Sequence, residues 1–327
     1  MMSKQLAYAA LVVRDVEATA EAFERGFGLR RVSLSVGDDG AATAPVFTVG
    51  KSALALFPPG HPFVNGRERP GVHHIAMAVD NLADAMQSAR DAGVPLARQD
   101  PMQGLGGCGL ALLAPQATGG ALTFLTEPLP IEHGAGGTGG AEDIVERIDH
   151  IGIATATIDA DRDTFVRRLG QPLESSQTDS ESLIAVESFT SDKYGIIQKA
   201  REPEIVGSLR VIFVTVGDTD LEILQGYDKS QDIHVHRNAA GNTRNDYAAI
   251  VGYVNRHGAG HHHIALKVKD IDAALSHLAA AGLELIDPVG RPGSRRALIG
   301  FVNPKSLGGV LMHLVERPEP WPPDGPG

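Results

Sequence analysis

From His263 to Val268, the residues Ile264, Leu266 and Val268 alternate with His263, Ala265 and Lys267. This period-two pattern predicts a strand with two unlike faces. Asp270 follows as a cap, and Ile271, Ala274, Leu275 and Leu278 recur at i, i+3, i+4 and i+7, which predicts an amphipathic helix. Gly282 ends it, and three short apolar stretches, 283–286, 297–302 and 309–315, complete the unit. The same succession starts at residue 73. Residues 73–127 ("HHIAMAVDNLADAM…") align without a gap with 262–316 ("HHIALKVKDIDAAL…") at an offset of 189, and 16 of 55 positions are identical. A match of that length marks a duplicated structural unit.

Upstream of each copy lies a more divergent relative, "LAYAALVVRDVEATAEAFERGFGL" and "IDHIGIATATIDADRDTFVRRLGQPL". Each gives a short strand, a helix with Phe on its buried face, and a Gly stop. The expected class is α+β, built from four βαβββ modules, two per half. "EHGAGGTGGAED" reads as a flexible connection, and "RPEPWPPDGPG" as a tail that can neither pair in a sheet nor extend a helix. The expected organisation is a first domain over 1–130, a Gly-rich linker over 131–146, a second domain over 147–318 and a Pro-rich tail over 319–327.

Composition narrows the function. The chain has 327 residues, 43% hydrophobic and 21% charged, with 40 acidic against 29 basic side chains and a net charge of −11. That balance offers no basic footprint for nucleic acid or an anionic membrane, so a small-molecule ligand is expected. The single cysteine, Cys108, rules out an internal disulfide framework and a thiolate zinc site, fits a reducing compartment, and reads as a small core residue. The N-terminal apolar run is broken by Arg14 and Asp15, too short for a secretion signal or a bilayer span, which implies a soluble, cytoplasmic protein.

Paired βαβββ modules with His on a first strand, "HHIA" on the matching strand and "GGVL" near the end resemble the vicinal oxygen chelate superfamily of glyoxalases, bleomycin resistance proteins and extradiol dioxygenases. The C-terminal half is most similar to methylmalonyl-CoA epimerases, through "IDHIGIAT", "TVGDTDLEIL", "NRHGAGHHHIALKVKDIDAAL" and "NPKSLGGVLMHLVE". The resemblance implies two domains, each a curved, mostly antiparallel sheet with helices outside, and one divalent metal held from four inward-facing strand positions. Carried over residue by residue, those positions are His150, Glu222, His263 and His313. An imidazole stands fourth, where the epimerases carry Glu, so a base at that position is lost. Three imidazoles and a carboxylate suit Fe, Mn, Co, Ni or Zn without choosing among them.

The pattern itself agrees with this set. Gly152 and Ala154 share a face with His150, and Ala265 follows His263 on its face, leaving room for an ion and a ligand. Glu222 stands alone between Leu221 and Ile223, a costly place for a carboxylate unless a cation meets it. The first half holds Tyr8, Ala55, His74 and Phe124 at the equivalent positions, a set that cannot bind a divalent ion. His262 has the twin His73, which suggests a structural role, whereas His261 corresponds to Val72.

A longer connection in the second half carries His234, His236, Arg237, Arg244 and Tyr247; of these, His234, His236 and Tyr247 are candidates for proton transfer. Arg291, Arg295 and Arg296 precede a late strand and could meet an anionic substrate, although a solvated hairpin tip reads equally well. "GLGGCG" formally matches a dinucleotide fingerprint, but its repeat counterpart is that same hairpin turn, so nucleotide binding is not expected. His61, His133 and His257 have no evident partners. Three functions follow. The favoured one is an isomerase, epimerase or lyase that stabilises the enolate of a small carbonyl acid or thioester. The alternative is a non-haem Fe(II) dioxygenase of extradiol or 2-oxo acid type. A small-molecule binding or resistance protein comes third, because those usually lack a full ligand set. A homodimer is compatible with all three.

Overall fold

The structure is a computed structural model that describes residues 3–37, 40, 42–132, 144–183, 186–193, 195–200, 204–226 and 243–317. The first module contains β1 (Gln5–Val12), α1 (Val16–Phe27), β2 (Arg30–Val36), β3 (Ala42–Val49) and β4 (Ser52–Phe57). The second contains β5 (Gly71–Ala78), α2 (Leu82–Asp91), β6 (Met102–Gln103), β7 (Gly109–Leu112) and β8 (Thr123–Thr126). In the third, β9 (Val145–Ala154) leads into α3 (Ile158–Arg162), a π-helical turn, β10 (Leu173–Leu183), the hairpin β11 (Val186–Ser191) and β12 (Gly195–Ala200), then β13 (Glu204–Val216) and β14 (Thr219–Gly226). The helix α4 (Thr243–His257) precedes the fourth: β15 (Gly260–Val268), α5 (Ile271–Ala280), β16 (Arg291–Pro292), β17 (Leu298–Val302) and β18 (Met312–Glu316).

Among the described residues, two modules join into one eight-stranded sheet in each half. The strand orders are β2-β3-β4-β1-β5-β8-β7-β6 and β10-β13-β14-β9-β15-β18-β17-β16. The first strands of paired modules run antiparallel at the seam, β1 on β5 and β9 on β15, and each is flanked by the parallel last strand of its own module. The architecture is thus two curled, mostly antiparallel α+β sheets, as the repeat implies.

Local chemistry explains the regular elements. Asp15, Asn81 and Asp270 each accept a hydrogen bond from a backbone N–H in the first turn of α1, α2 and α5, satisfying donors that have no partner within the helix. Gly282 follows α5 at φ 88°, a conformation that costs glycine little. The predicted strand over 283–286 contributes only a bridge from Leu285 to Val302, and its place is taken by Arg291–Pro292. The hairpin of β11 and β12 has no counterpart in the first half and was not anticipated.

Strand alternation sorts side chains into separate cores. Leu6, Leu11 and Ile75 of the first sheet and Ile148, Ile151, Leu266 and Leu314 of the second lie in one continuous apolar cluster with Phe23 and Phe165 from the helical segments. The halves therefore share the core on their helical sides. Gln171 Nε2 donates to Ser3 O at 3.2 Å, and Arg168 Nη1 to Gly93 O at 3.0 Å across the same junction. The opposite faces are separate, and they differ: Tyr8, Val46, Phe57, Leu110 and Phe124 fill the first, whereas the second opens into a cavity. No helix among the described residues is long and apolar enough to cross a membrane.

Candidate metal centre

Four adjacent strands, β14, β9, β15 and β18, present Glu222, His150, His263 and His313 to that cavity. Their apolar neighbours, Leu221, Ile151, Ile264 and Met312, point into the shared core, which is period two at work on four strands. All four polar side chains are buried. The imidazole centroids of His150, His263 and His313 form a triangle with edges of 5.5, 5.1 and 5.0 Å. Glu222 Oε2 lies 3.4 Å from His150 Nε2 and 3.1 Å from His263 Nε2. The 3.1 Å contact lacks hydrogen-bond alignment, so His263 Nε2 is buried without a hydrogen-bond partner, as is His313 Nδ1. Orphaned buried nitrogens are rare because they are costly. Here they belong to the same cluster as a buried carboxylate, and the residues fit a divalent cation with mixed N and O donors.

Gly152 makes room for this cluster, because a Cβ there would stand 2.2 Å from the His263 ring. The strand pairing supplies the rest. Register slips by one residue between Leu266 and Ala265 against Ile148 and His150, and again between His261 and His263, as at a β-bulge. The extra residues are Asp149 and His262. Each bonds to its neighbour, Asp149 Oδ1 accepting from His150 Nδ1 at 2.9 Å, while His262 Nδ1 lies 3.0 Å from His263 Nδ1. An imidazole held through one nitrogen is oriented to use the other on a metal.

Burial pushes the Glu222 carboxyl up, but His150, His263 and Arg295 overcome this and bring it down to about 2, so it is a carboxylate near neutral pH. Burial drives His313 well below the ordinary imidazole range, with His263 and His150 adding to the effect. It drives His262 down to about 3. Those imidazoles are neutral, the form that ligates metal.

The remaining candidates fall in different places. His234, His236 and Arg237 lie outside the described residues, as do the side chains of Arg244 and Tyr247, whose backbones belong to α4. Arg291 lines the cavity, stacks 5.3 Å over the Phe301 ring and has Nε 3.2 Å from Asp287 Oδ2. Arg296 is exposed and is not among the residues lining the cavity. Arg295, expected with them as an anion binder or at a solvated tip, is not at a solvated tip: it is buried, it lines the cavity, and it pairs with carboxylates of its own chain, Asp149 at 3.0 Å and Asp220 at 2.7 Å. No pattern in its own segment marks it for burial, because its partners lie 75 and 146 residues away. Asp149 itself is legible only as the residue before His150. Among the other histidines, His61 caps a short helical turn by accepting from Phe63 N, His257 closes α4 against Tyr253, and His133 is outside the described residues. His261 Nε2 meets Leu122 O of the first half at 3.0 Å. "GLGGCG" forms the turn before β7, and Cys108 is buried.

The sequence profile of the Glyoxalase/Bleomycin resistance protein/Dioxygenase superfamily matches residues 8–111 and 149–301, one segment in each half and well over half of the chain. The chain belongs to this superfamily. It is 27% identical over 115 residues to the mitochondrial methylmalonyl-CoA epimerase of Dictyostelium discoideum, a match covering 35% of this chain and 59% of the epimerase. It is 26% identical over 172 residues to the uncharacterized protein YqjC of Bacillus subtilis, covering 53% and 93% respectively. Among solved structures, a mutant 4-hydroxymandelate synthase from Streptomyces coelicolor superposes with a TM-score of 0.62 at 15% identity, over 97% of this chain and 93% of that one. A Mn(II)-bound glyoxalase from Novosphingobium aromaticivorans gives 0.54 at 14% identity, over 96% and 82%. At such identities these likenesses establish the fold, which in this superfamily serves epimerases, dioxygenases and glyoxalases.

Proposed function

We propose that the protein is a divalent-metal-dependent isomerase, epimerase or lyase acting on a small anionic carbonyl compound, an acid or a thioester. The observation that carries this reading is the donor count. His150, His263 and His313 offer ligand atoms within 4.8 Å of one another, and Glu222 Oε2, beside His150 and His263 at 3.4 and 3.1 Å, adds a fourth donor on the same cavity wall. Three imidazoles and a carboxylate would hold a divalent ion that binds substrate oxygens, and they are one imidazole more than the two-imidazole, one-carboxylate set typical of Fe(II) oxygenases. The ion would polarise a bound carbonyl and stabilise the negative charge that develops when a neighbouring C–H proton leaves. Similarity of part of the chain to an epimerase agrees with this chemistry.

The chain's own residues take the other tasks. Arg291, at the cavity wall, is placed to pair with a carboxylate of the substrate. Phe213, Phe301, Leu224 and Ile250 give the cavity apolar walls that keep water from competing for a reactive anion. Glu222 is the only carboxylate among the described residues lining the cavity, and as a metal ligand at about 2 it is a poor proton acceptor near neutral pH. Proton transfer is therefore assigned to His234 and His236, which lie between β14 and α4 in sequence, and to Tyr247 of α4, as the groups to test.

A second reading depends on His313. If it does not ligate, His150, His263 and Glu222 are two imidazoles and a carboxylate, the donor set of Fe(II) oxygenases. Metal analysis of protein purified without oxygen, then assays on 2-oxo acids, acyl thioesters and catechols, separates the two. Deuterium uptake from solvent into substrate without oxygen consumption is expected. Substrate-dependent oxygen uptake by an iron-containing protein would overturn the isomerase reading.

A further inference from the structure

Behind His150 lies a group of buried charges. Asp149 accepts from His150 Nδ1 at 2.9 Å, and its carboxylate is also met by Arg295 Nη2 at 3.0 Å and Arg317 Nε at 3.0 Å. Arg295 continues to Asp220 at 2.7 Å and Glu174 at 3.3 Å, with its guanidinium carbon 3.6 Å over the Phe213 ring. Arg147 stands 3.6 Å from Asp149. Three carboxylates and three guanidiniums balance in charge. Such clusters are expensive to desolvate and are weak devices for stability alone.

The first half shows that the fold does not need this one. Strand pairing sets Tyr8 opposite Ala76 and Ala10 beside Ala55, as it sets His150 opposite Ala265 and Gly152 beside Glu222. With the 189-residue offset, that register makes Ala7 the twin of Asp149, Ala53 of Asp220, Gly106 of Arg295 and Pro128 of Arg317. None of these twins is charged, yet the same eight-stranded order forms. The backbone records a cost as well. Arg295 sits at φ 58°, where its twin is a glycine at φ 64°, and a side chain in that left-handed region is strained. The half that bears the strain is the half with the imidazole and carboxylate cluster. Strain kept at a site by surrounding contacts is a mark of function.

We propose that Asp149, Arg295 and Arg317 form a positioning network that fixes the proton of His150 on Nδ1 and turns its Nε2 lone pair toward Glu222, so that the metal site is prepared before an ion arrives. The proposal rests on the metal-binding reading of the cluster. His150 Nδ1 makes an aligned hydrogen bond to Asp149, whereas Nε2 stands 3.4 Å from Glu222, so the Asp149 side holds the proton. The two guanidiniums hold Asp149 in place, and the register slip on β9 brings its side chain to the His150 ring.

The first test is made on the wild-type protein without metal. Nitrogen-15 NMR of the imidazoles above pH 8, with the His150 signal assigned by its loss in His150→Gln, should show Nδ1 protonated; a bare Nδ1 overturns the proposal. The second is a Co(II) titration of the metal-stripped wild type, Asp149→Asn and Arg295→Gly, followed by visible absorption. Arg295→Gly restores the residue found at the twin position and relieves the strained φ. Both variants should bind Co(II) about 10–100-fold more weakly, the usual effect of losing an outer partner of a ligating histidine. Wild-type affinity in both overturns the proposal. Melting curves of the same samples without metal separate this effect from loss of fold, and a variant that does not fold leaves the decision to the NMR result. A wild type that binds Co(II) no better than His263→Ala would sink the metal reading itself, while the NMR measurement still judges the network.

Discussion

The two halves carry the same sheet and opposite interiors. At four register-equivalent positions the first has Tyr8, Ala55, His74 and Phe124, and the second has His150, Glu222, His263 and His313. In the first, His74 is enclosed by rings, 5.6 Å from Tyr8, 4.8 Å from Phe124 and 5.6 Å from Phe63, with its Nε2 3.3 Å from the Tyr8 hydroxyl. In the second, three imidazoles and one carboxylate lie side by side on the wall of a cavity. A curled sheet is therefore neutral as to function. Whether its concave face becomes a core or a site is decided by a handful of side chains, and filling it with aromatics removes both the space and the ligands.

The largest effect should come from the ligands. Glu222→Ala or His263→Ala should lower metal affinity by more than about a hundredfold, beyond the loss typical of an outer partner, as read by metal analysis after dialysis. Full metal occupancy in these variants would abolish the distinction between the halves. The mirror experiment is Tyr8→Ala or Phe124→Ala. Each should destabilise the protein by about 3–5 kcal/mol, as large aromatic deletions in cores do, with Co(II) affinity unchanged; a drop in affinity would show that the halves are coupled.

A smaller and more local change is Gly152→Ala. Its Cβ would lie 2.2 Å from the His263 ring, so the ring must move, and Co(II) binding should weaken several-fold or more. The equivalent position in the first half is already alanine, Ala10, and Ala10→Gly should leave metal binding unaffected.

The smallest effect is on pH dependence. Burial, with Arg67 and His261 nearby, holds His73 at about 4, and burial together with His73 takes His74 well below the ordinary range. Both are neutral when folded, while in the unfolded chain they take up protons near pH 6.5. Their contribution to stability is complete above pH 6.5 and is lost as pH falls toward 4. Urea midpoints of the metal-free protein should therefore drop between pH 7 and pH 5, and replacing both by Gln should reduce that drop. An unchanged slope would mean that these imidazoles are hydrated in the folded state.

Much of this could be read in advance. The offset between "HHIAMAV" and "HHIALKV" gave the equivalence of the halves, and the strand register agrees with it position by position. Alternation around His263 and Glu222 separated core from cavity, because period two is a local property of a strand. The ligand positions came from resemblance, and His150, Glu222, His263 and His313 prove to be neighbours on four adjacent strands. Other features lay beyond such reading. A slip of register is a property of two strands, so neither the Asp149 contact with His150 nor that of His262 with His263 shows in one of them. The hairpin of β11 and β12 interrupts a module without a repeat to announce it. Arg295 reads as an anion binder or part of a solvated tip, together with Arg291 and Arg296, because charge and turn position are all that its segment displays.

The sequence by itself determined the duplication, the strand faces and which half could offer a metal its ligands, since these depend on spacing along one chain. Only the tertiary structure decided that Arg295 is buried behind His150 and not presented to solvent. That outcome depends on Asp149 and Asp220 arriving at the same point from strands 71 residues apart in sequence, where their combined charge can hold a guanidinium that no local signal would place there.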